Sequence, residues 1–238
     1  MRANLDQDQK IAILRGTPLF SGLTPVELLH LANRMQLMQL QAKEPLFFRG
    51  DPGDRLYIVV DGIVRIGSVS NEGHEVTLNL MTAGQMFGEI AALDGSERTA
   101  DASAFGPVSL LTLHRLHLID FLANDPDACL RLVGAMCERL RWVSGLLEDA
   151  NFLDIPARLA KRLVMLGFLF GAADGKGKIK LGLRLSQQEL ANLIGATRES
   201  VNKFLRKWED DKAISYDRGT LTILDRDYLA GLFETAQG

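Results

Sequence analysis

The chain has 238 residues, of which 47% are hydrophobic and 24% charged, a balance typical of a globular protein with core enough for one large domain or two ordinary ones. No apolar run approaches the roughly 18 residues that span a bilayer, and the N-terminus lacks a signal-peptide pattern, so we expect a cytoplasmic protein without membrane contact. With only two cysteines, Cys129 and Cys137, a disulfide framework is excluded.

The net charge of −3 conceals an uneven distribution. Residues 1–154 carry 13 Lys and Arg against 20 Asp and Glu, a net charge of −7, whereas residues 155–238 carry 14 against 10, a net charge of +4. We interpret this as two domains, of which the second contacts any polyanion, with a chance distribution of surface charge as the alternative.

A helix followed by many short strands is predicted for the first part of the chain. Residues 24–34 have helical apolar spacing, with Thr24 as N-cap and Pro25 at the first helical position. Residues 36–118 contain short apolar runs such as "RLYIVV" and "EVTLNL", separated by turn signals. We therefore predict an α+β protein in which residues 1–123 form an antiparallel β-roll of the jelly-roll type with N-terminal helices.

A long helix is predicted next, over residues 124–154. Asn124, Asp125 and Pro126 supply its start, and apolar or small residues then step by three and four positions. This seam favours a dimerisation helix in a two-fold homodimer, with a helix packed on its own domain as the alternative. Its positions are Leu130, Val133, Cys137, Leu140, Ser144, Leu147 and Asn151.

Residues 155–238 have the element order of a winged helix-turn-helix. A helix over 157–171 and short strands precede a capping box that starts at Ser186, and Thr197 can cap a second helix that reaches about Asp210. A hairpin then turns at residues 217–219.

The second helix of this pair has one apolar and one polar face. At about 100° per residue, Val201, Phe204, Leu205 and Trp208 share the apolar side, so we expect them to be buried. The polar side carries groups that read base edges in DNA, although a solvated amphipathic helix has the same pattern. The candidate DNA contacts are Thr197, Arg198, Glu199, Asn202 and Lys203.

The stretch "FGEIAALDGSERTADASA", residues 87–104, combines groups that suit opposite ligands. Arg98 and Thr99 suit a phosphate, which the carboxylate of Glu89 should repel. A single ligand that binds all three residues is one interpretation of this combination. An Arg98–Glu89 salt bridge in an empty pocket is the alternative.

Together with "LSQQELANLIGATRESVNKFL" and the long helix, this stretch resembles the CRP/FNR family of bacterial transcription regulators over roughly residues 18–224. The resemblance implies a β-roll of the cyclic-nucleotide-binding type. It also implies that Glu89 accepts from a ribose 2′-hydroxyl and that Arg98 and Thr99 bind the cyclic phosphate. Backbone N–H groups of Gly88, Glu89, Ile90 and Ala91 would add to the binding of the anion.

The resemblance further places Val143 and Ser144 where relatives contact the base, and valine lacks the donor and acceptor expected there. It implies cAMP as effector, with cGMP as second choice, and no metal. At the DNA, Arg198 and Glu199 match the family's guanine and cytosine contacts, whereas Lys203 stands where an arginine is usual.

The implied protein is a homodimer that binds double-stranded DNA at a two-fold symmetric site and works with RNA polymerase. Two alternatives remain. One is a family member that takes another effector or none, and the other is a nucleotide-binding module whose basic domain meets a protein instead of DNA. No nucleophile–base pair suggests an enzyme, and His114 and His117 lack a third metal ligand.

Overall fold

The N-terminal part of the chain begins with two capped helices, α1 (Gln7–Gly16) and α2 (Pro25–Arg34), in a computed structural model that describes residues 5–174 and 177–234. The predicted cap of α2 is confirmed, since the Thr24 hydroxyl accepts the N–H of Glu27 at 3.4 Å and the Glu27 carboxylate accepts the N–H of Thr24 at 2.8 Å. The reciprocal pair satisfies donors that a helix start leaves free.

Two four-stranded sheets follow, and they confirm the predicted β-roll. The first has the order β1-β8-β3-β6 and the second the order β2-β7-β4-β5. Their registered strand pairs are antiparallel. The strands are β1 (Gln36–Leu40), β2 (Pro45–Phe47), β3 (Arg55–Asp61), β4 (Val64–Val69), β5 (Glu75–Met81), β6 (Met86–Phe87), β7 (Asp101–Ala104) and β8 (Val108–His114).

Strand β3 separates two hydrophobic cores, because successive side chains of a strand point to opposite faces. Leu56 and Ile58 pack with helical residues, whereas Tyr57 and Val59 pack inside the roll. β3 is therefore buried on both sides and gives the roll a rigid wall.

Three further helices adjoin the roll: α3 (Glu89–Asp94), α4 (Arg115–Asn124) and the long α5 (Pro126–Phe152). The sequence predicts short strands up to about residue 118, and the predicted end of the last strand is wrong. Strand β8 stops at His114, whose side chain accepts the N–H of Leu116 at 3.2 Å and so caps α4. Helix α1 belongs to the predicted N-terminal helices, although its bounds were not predicted, whereas α4 was not predicted from the sequence.

The C-terminal part has the predicted winged helix-turn-helix order, and residues 175 and 176, between the predicted first helix and the short strands, lie outside the described residues. A sheet of order β11-β12-β10-β9 accompanies its helices. The elements are α6 (Ile155–Phe170), β9 (Gly171–Ala173), β10 (Ile179–Arg184), α7 (Gln187–Ile194), α8 (Arg198–Asp210), β11 (Ile214–Asp217), β12 (Thr220–Ile223) and α9 (Arg226–Glu234).

The described residues divide into two compact units, one running to Glu72 and including Leu78–Arg141, and one comprising Gly73–Thr77 and the residues from Trp142 onward. Within the described ranges, no helix combines the length and apolar character that crossing a membrane requires.

Candidate functional site

A left-handed glycine forms the turn that begins the candidate pocket. Gly88 lies between β6 and α3 with φ +78°, and a Cβ at this position would come within 2.8 Å of the Arg98 guanidinium and 3.0 Å of the Tyr57 ring. Only glycine adopts this conformation without strain and also leaves room for both neighbours. The turn brings the next residue, Glu89, into the interior.

Arg98 is a buried cation in this pocket, with 4% of its surface exposed. It donates to the carbonyl oxygens of Gly88 at 2.8 Å and Arg55 at 3.0 Å, and its guanidinium lies 4.3 Å from the Phe47 ring centroid. Within the described residues, no carboxylate forms an ion pair with it, and its buried Nε has no hydrogen-bond partner. A buried charge is costly unless it is paired, so this site favours an anion.

Glu89 is fully buried, with 0% of its surface exposed. Its Oε1 accepts a hydrogen bond from Nη1 of Arg139 at 2.6 Å, whereas its buried Oε2 finds no hydrogen-bond partner in the part of the chain that the structure describes. The alternative of an Arg98–Glu89 salt bridge is therefore wrong, because Glu89 pairs with a different arginine. The unpaired oxygen can accept a hydrogen bond from a ligand hydroxyl.

Arg139, on α5, is a charged pocket residue that the sequence prediction missed. It also donates through Nη2 to the carbonyl of Met86 at 3.1 Å. Ala128 and Leu132 bury the start of α5 against the roll, and Arg139 follows Leu132 by seven residues, two helical turns on the same face. The seven-residue spacing from Leu132 is the sequence signal that places Arg139 on the packed face of α5. The heptad seam, on which the prediction relied, lies on another face of the helix.

These groups line one cavity that is partly open to solvent. One wall is polar, while Phe47, Ile66 and Phe87 supply an apolar wall. Such a cavity suits a ligand with a flat apolar body, a negative charge and a hydroxyl group. All six predicted residues of the loop line it: Gly88, Glu89, Ile90, Ala91, Arg98 and Thr99.

The predicted base contacts lie farther along α5. Val143 is one helical turn beyond Arg139, and both Val143 and Ser144 have exposed side chains. Their role toward a base stays a prediction.

The predicted seam of α5 is exposed at all seven of its positions. Leu130, for example, exposes 71% of its surface and Leu140 exposes 67%. The alternative in which this face packs on its own domain does not hold for the described residues. A row of large apolar side chains on one helix face instead marks an interaction surface.

The helix-turn-helix is built as the sequence predicts. The Ser186 hydroxyl accepts the N–H of Glu189 at 3.2 Å, and Gly195 ends α7 with φ +64°. Thr197, one of the predicted DNA contacts, caps α8 by accepting the N–H of Ser200 at 3.2 Å.

The two faces of α8 are separated as predicted, with one difference. Val201, Leu205 and Trp208 are buried, whereas Phe204 is only half-buried. The side chains of the predicted base readers Arg198, Glu199 and Lys203 are exposed, and that of Asn202 is half-buried. A cationic helix face with a carboxylate and an amide suits the major groove of DNA.

Two known domain families match these two regions of the sequence. Residues 37–125 match the cyclic nucleotide-binding domain, and residues 157–232 match the Crp-like helix-turn-helix domain. Together the fold and the matches define a transcription regulator that joins a cyclic nucleotide-binding domain to a DNA-binding domain.

Similar proteins agree with this class. A CRP-like cAMP-activated global transcriptional regulator of Mycobacterium tuberculosis is 34% identical over 92% of this chain and 97% of its own length. The cyclic AMP receptor protein of Thermus thermophilus is 30% identical over 88% of this chain and 94% of its own. A solved CRP/FNR-family regulator, also from Thermus thermophilus, superposes with a TM-score of 0.70 at 28% identity, covering 84% of this chain and 98% of its own. The chain belongs to the CRP/FNR family of transcription regulators.

Proposed function

We propose that this protein is a homodimeric regulator whose binding to DNA is controlled by a cyclic nucleotide in the β-roll pocket. The observation that carries the proposal concerns the described residues: among them, a buried cation without an anion lies beside a buried carboxylate oxygen without a donor. Both groups, Arg98 and Glu89, line the same cavity. A ligand that satisfies both must present an anionic group and a hydrogen-bond donor close together.

A cyclic nucleotide meets this requirement with one compact group. Its phosphate pairs with Arg98, with the Thr99 hydroxyl as an added donor, and its ribose hydroxyl donates to Oε2 of Glu89. The N–H groups of residues 89–91 precede the first intrahelical hydrogen bond of α3, from Ala92 to Gly88, and supplement the arginine. The base lies against the apolar wall, and Val143 and Ser144 remain the predicted contacts to it.

We infer cAMP as the first effector because two similar regulators are named for it. cGMP is the second choice, since Val143 provides no hydrogen bond to select adenine. No metal takes part in this proposal.

Control of DNA binding passes through α5. Arg139 joins the pocket carboxylate to this helix, and the exposed seam of α5 supplies the contact between two copies. A dimer presents two recognition helices to half-sites about 34 Å apart. Effector binding favours DNA binding to the extent that it binds one arrangement of the pair more tightly. The protein would act in the cytoplasm, together with RNA polymerase.

Thermal unfolding with cAMP, cGMP and cyclic di-GMP at matched concentrations tests the pocket. A ligand stabilises the folded state by RT ln(1 + [L]/Kd), so the tightest ligand gives the largest rise in Tm. We expect cAMP to give the largest rise. A rise with cGMP alone would reverse the ranking, and no rise with any of the three would contradict nucleotide control.

The salt dependence of the affinity for duplex DNA distinguishes DNA binding from the alternative in which the basic domain binds a protein. Several phosphate contacts predict that the logarithm of the affinity for duplex DNA falls steeply with the logarithm of salt concentration. A flat response would favour a protein partner for the basic domain.

Substitution in the seam tests the dimer. Leu140→Glu places a carboxylate from each copy where two apolar side chains should meet, and we expect monomers in sedimentation equilibrium. Arg141→Glu, the adjacent exposed residue outside the seam, is the control and should remain dimeric. A dimeric Leu140→Glu variant would place the interface elsewhere.

A further inference from the structure

Three polar side chains form a relay across the two helices of the helix-turn-helix. Arg198, the first residue of α8, donates through Nε to Oε1 of Gln187, the first residue of α7, at 3.4 Å. Gln187 then donates through Nε2 to Oδ1 of Asn202 at 3.0 Å. Gln187 thus holds two residues that lie one turn apart on α8.

The donor and acceptor roles in this relay follow from the chemistry of Arg198. A guanidinium has donors and no acceptor, so the oxygen of the Gln187 amide must face Arg198. The other branch of that amide carries its NH₂ group, which needs an acceptor, and the oxygen of Asn202 supplies it. The planar amide of Asn202 is therefore fixed, with its own NH₂ group turned away from Gln187.

This orientation limits what Asn202 offers to a base. A freely turning asparagine presents an acceptor and a donor together, which is how it recognises adenine by two bonds. With its oxygen engaged by Gln187, Asn202 presents mainly a donor. Arg198 lies four residues earlier and so on the same stripe of the polar face.

We propose that Gln187 is a positioning residue that makes Asn202 a donor-only reader of base edges in the major groove. The donor can bond the acceptors that guanine, thymine and adenine present, and it disfavours cytosine, whose edge presents only a donor. This inference rests on the proposed DNA-binding function.

The test uses the full-length protein with saturating cAMP and a two-fold symmetric duplex selected from random sequence. Each half-site position is changed in turn to all four base pairs, and affinities are measured by fluorescence anisotropy. Asn202→Ala should flatten the preference at one position by roughly threefold to tenfold, the effect of one hydrogen bond. Gln187→Ala should flatten the preference at that same position.

Gln187→Glu gives a sharper outcome, because it should invert the preference. The introduced carboxylate can still accept from Arg198 but cannot donate to Asn202. The NH₂ group of Asn202 then turns toward it and the oxygen faces the DNA, which favours adenine and cytosine. The added negative charge weakens binding to every sequence alike, so the ratio between base pairs is the readout.

Gln188→Ala is the matched control, since this neighbouring glutamine donates to Asn192 within α7 at 2.8 Å. It should leave the base preference unchanged. The inference is overturned if the Gln187 variants change only the overall affinity, or if they alter a different position from Asn202→Ala. Wild-type protein that binds all duplexes alike would instead overturn the DNA-reading function itself.

Discussion

The effector pocket and the recognition helix both carry cationic side chains, arginines in the pocket and arginine and lysine on the helix, but they hold them in opposite ways. Arg98 is buried, stacked on an aromatic ring and bonded to two backbone carbonyls. Arg198 and Lys203 are exposed on α8. The pocket cation is therefore held by the protein itself before a ligand arrives, whereas the helix cations face solvent.

This difference sets how each site responds to salt and to mutation. Interactions of exposed charges are screened by salt, and those of buried charges much less. Removing one buried charge also leaves its partner unsatisfied, whereas removing an exposed one does not. Substitutions in the pocket should accordingly have larger effects than substitutions on the helix.

The largest effect is expected for Arg98→Leu. The variant loses a charge-assisted bond to the phosphate, so effector affinity should fall by about 2–4 kcal/mol, or roughly 30- to 1000-fold. Leucine can still fill the space beside Phe47, so we expect a folded dimer that no longer binds DNA in response to the nucleotide. Calorimetry of effector binding provides the measurement.

Arg49→Leu is the control for this change, because Arg49 is an exposed arginine of the same roll. It should bind the nucleotide as the wild type does. Near-normal affinity in Arg98→Leu would contradict the assignment of the phosphate site.

The second effect concerns the free energy of unfolding. Arg139→Met leaves the buried carboxylate of Glu89 without its partner, which should lower this free energy by about 2–3 kcal/mol. The loss is smaller than for a fully buried ion pair because Arg139 is partly exposed. Denaturant unfolding measures it, and Arg141→Met on the same helix is the control.

A second substitution sharpens this test. Adding Glu89→Gln to Arg139→Met removes the unpaired charge, so most of the lost stability should return. A double variant that is no more stable than Arg139→Met would show that the ion pair does not carry the effect.

The sequence predicted elements whose signals are local. The caps at Thr24, Ser186 and Thr197 and the turn at Gly88 are each encoded within a few residues, and each appears in the structure. The contact between Glu89 and Arg139 joins residues 50 positions apart, so no local pattern encodes it. It depends on how the start of α5 packs against the roll.

Helix α4 was missed for a related reason. The apolar residues of strand β8 continue into the helix without a glycine or proline between them, and the change of direction depends on the cap at His114. Histidine is not among the residues preferred at an N-cap, so the boundary carries no strong sequence signal.

The smallest effect is expected on the recognition helix. Lys203→Arg replaces a flexible point charge by a planar fork that binds guanine through two bonds, so discrimination at its base pair should rise by about 1 kcal/mol. Affinities for duplexes that differ at that base pair provide the measurement. Equal gains for all sequences would show that residue 203 contacts phosphate instead of a base.

The central claim is that the pocket and the DNA-binding domain are coupled, and thermodynamic linkage tests it most directly. If cAMP tightens DNA binding by a given factor, DNA must tighten cAMP binding by the same factor, typically about 5- to 150-fold. Calorimetric titration of cAMP into the protein, with and without its selected duplex, measures this factor. The proposal predicts a tighter cAMP affinity on DNA that matches the anisotropy result, and an equal affinity in both titrations would contradict it.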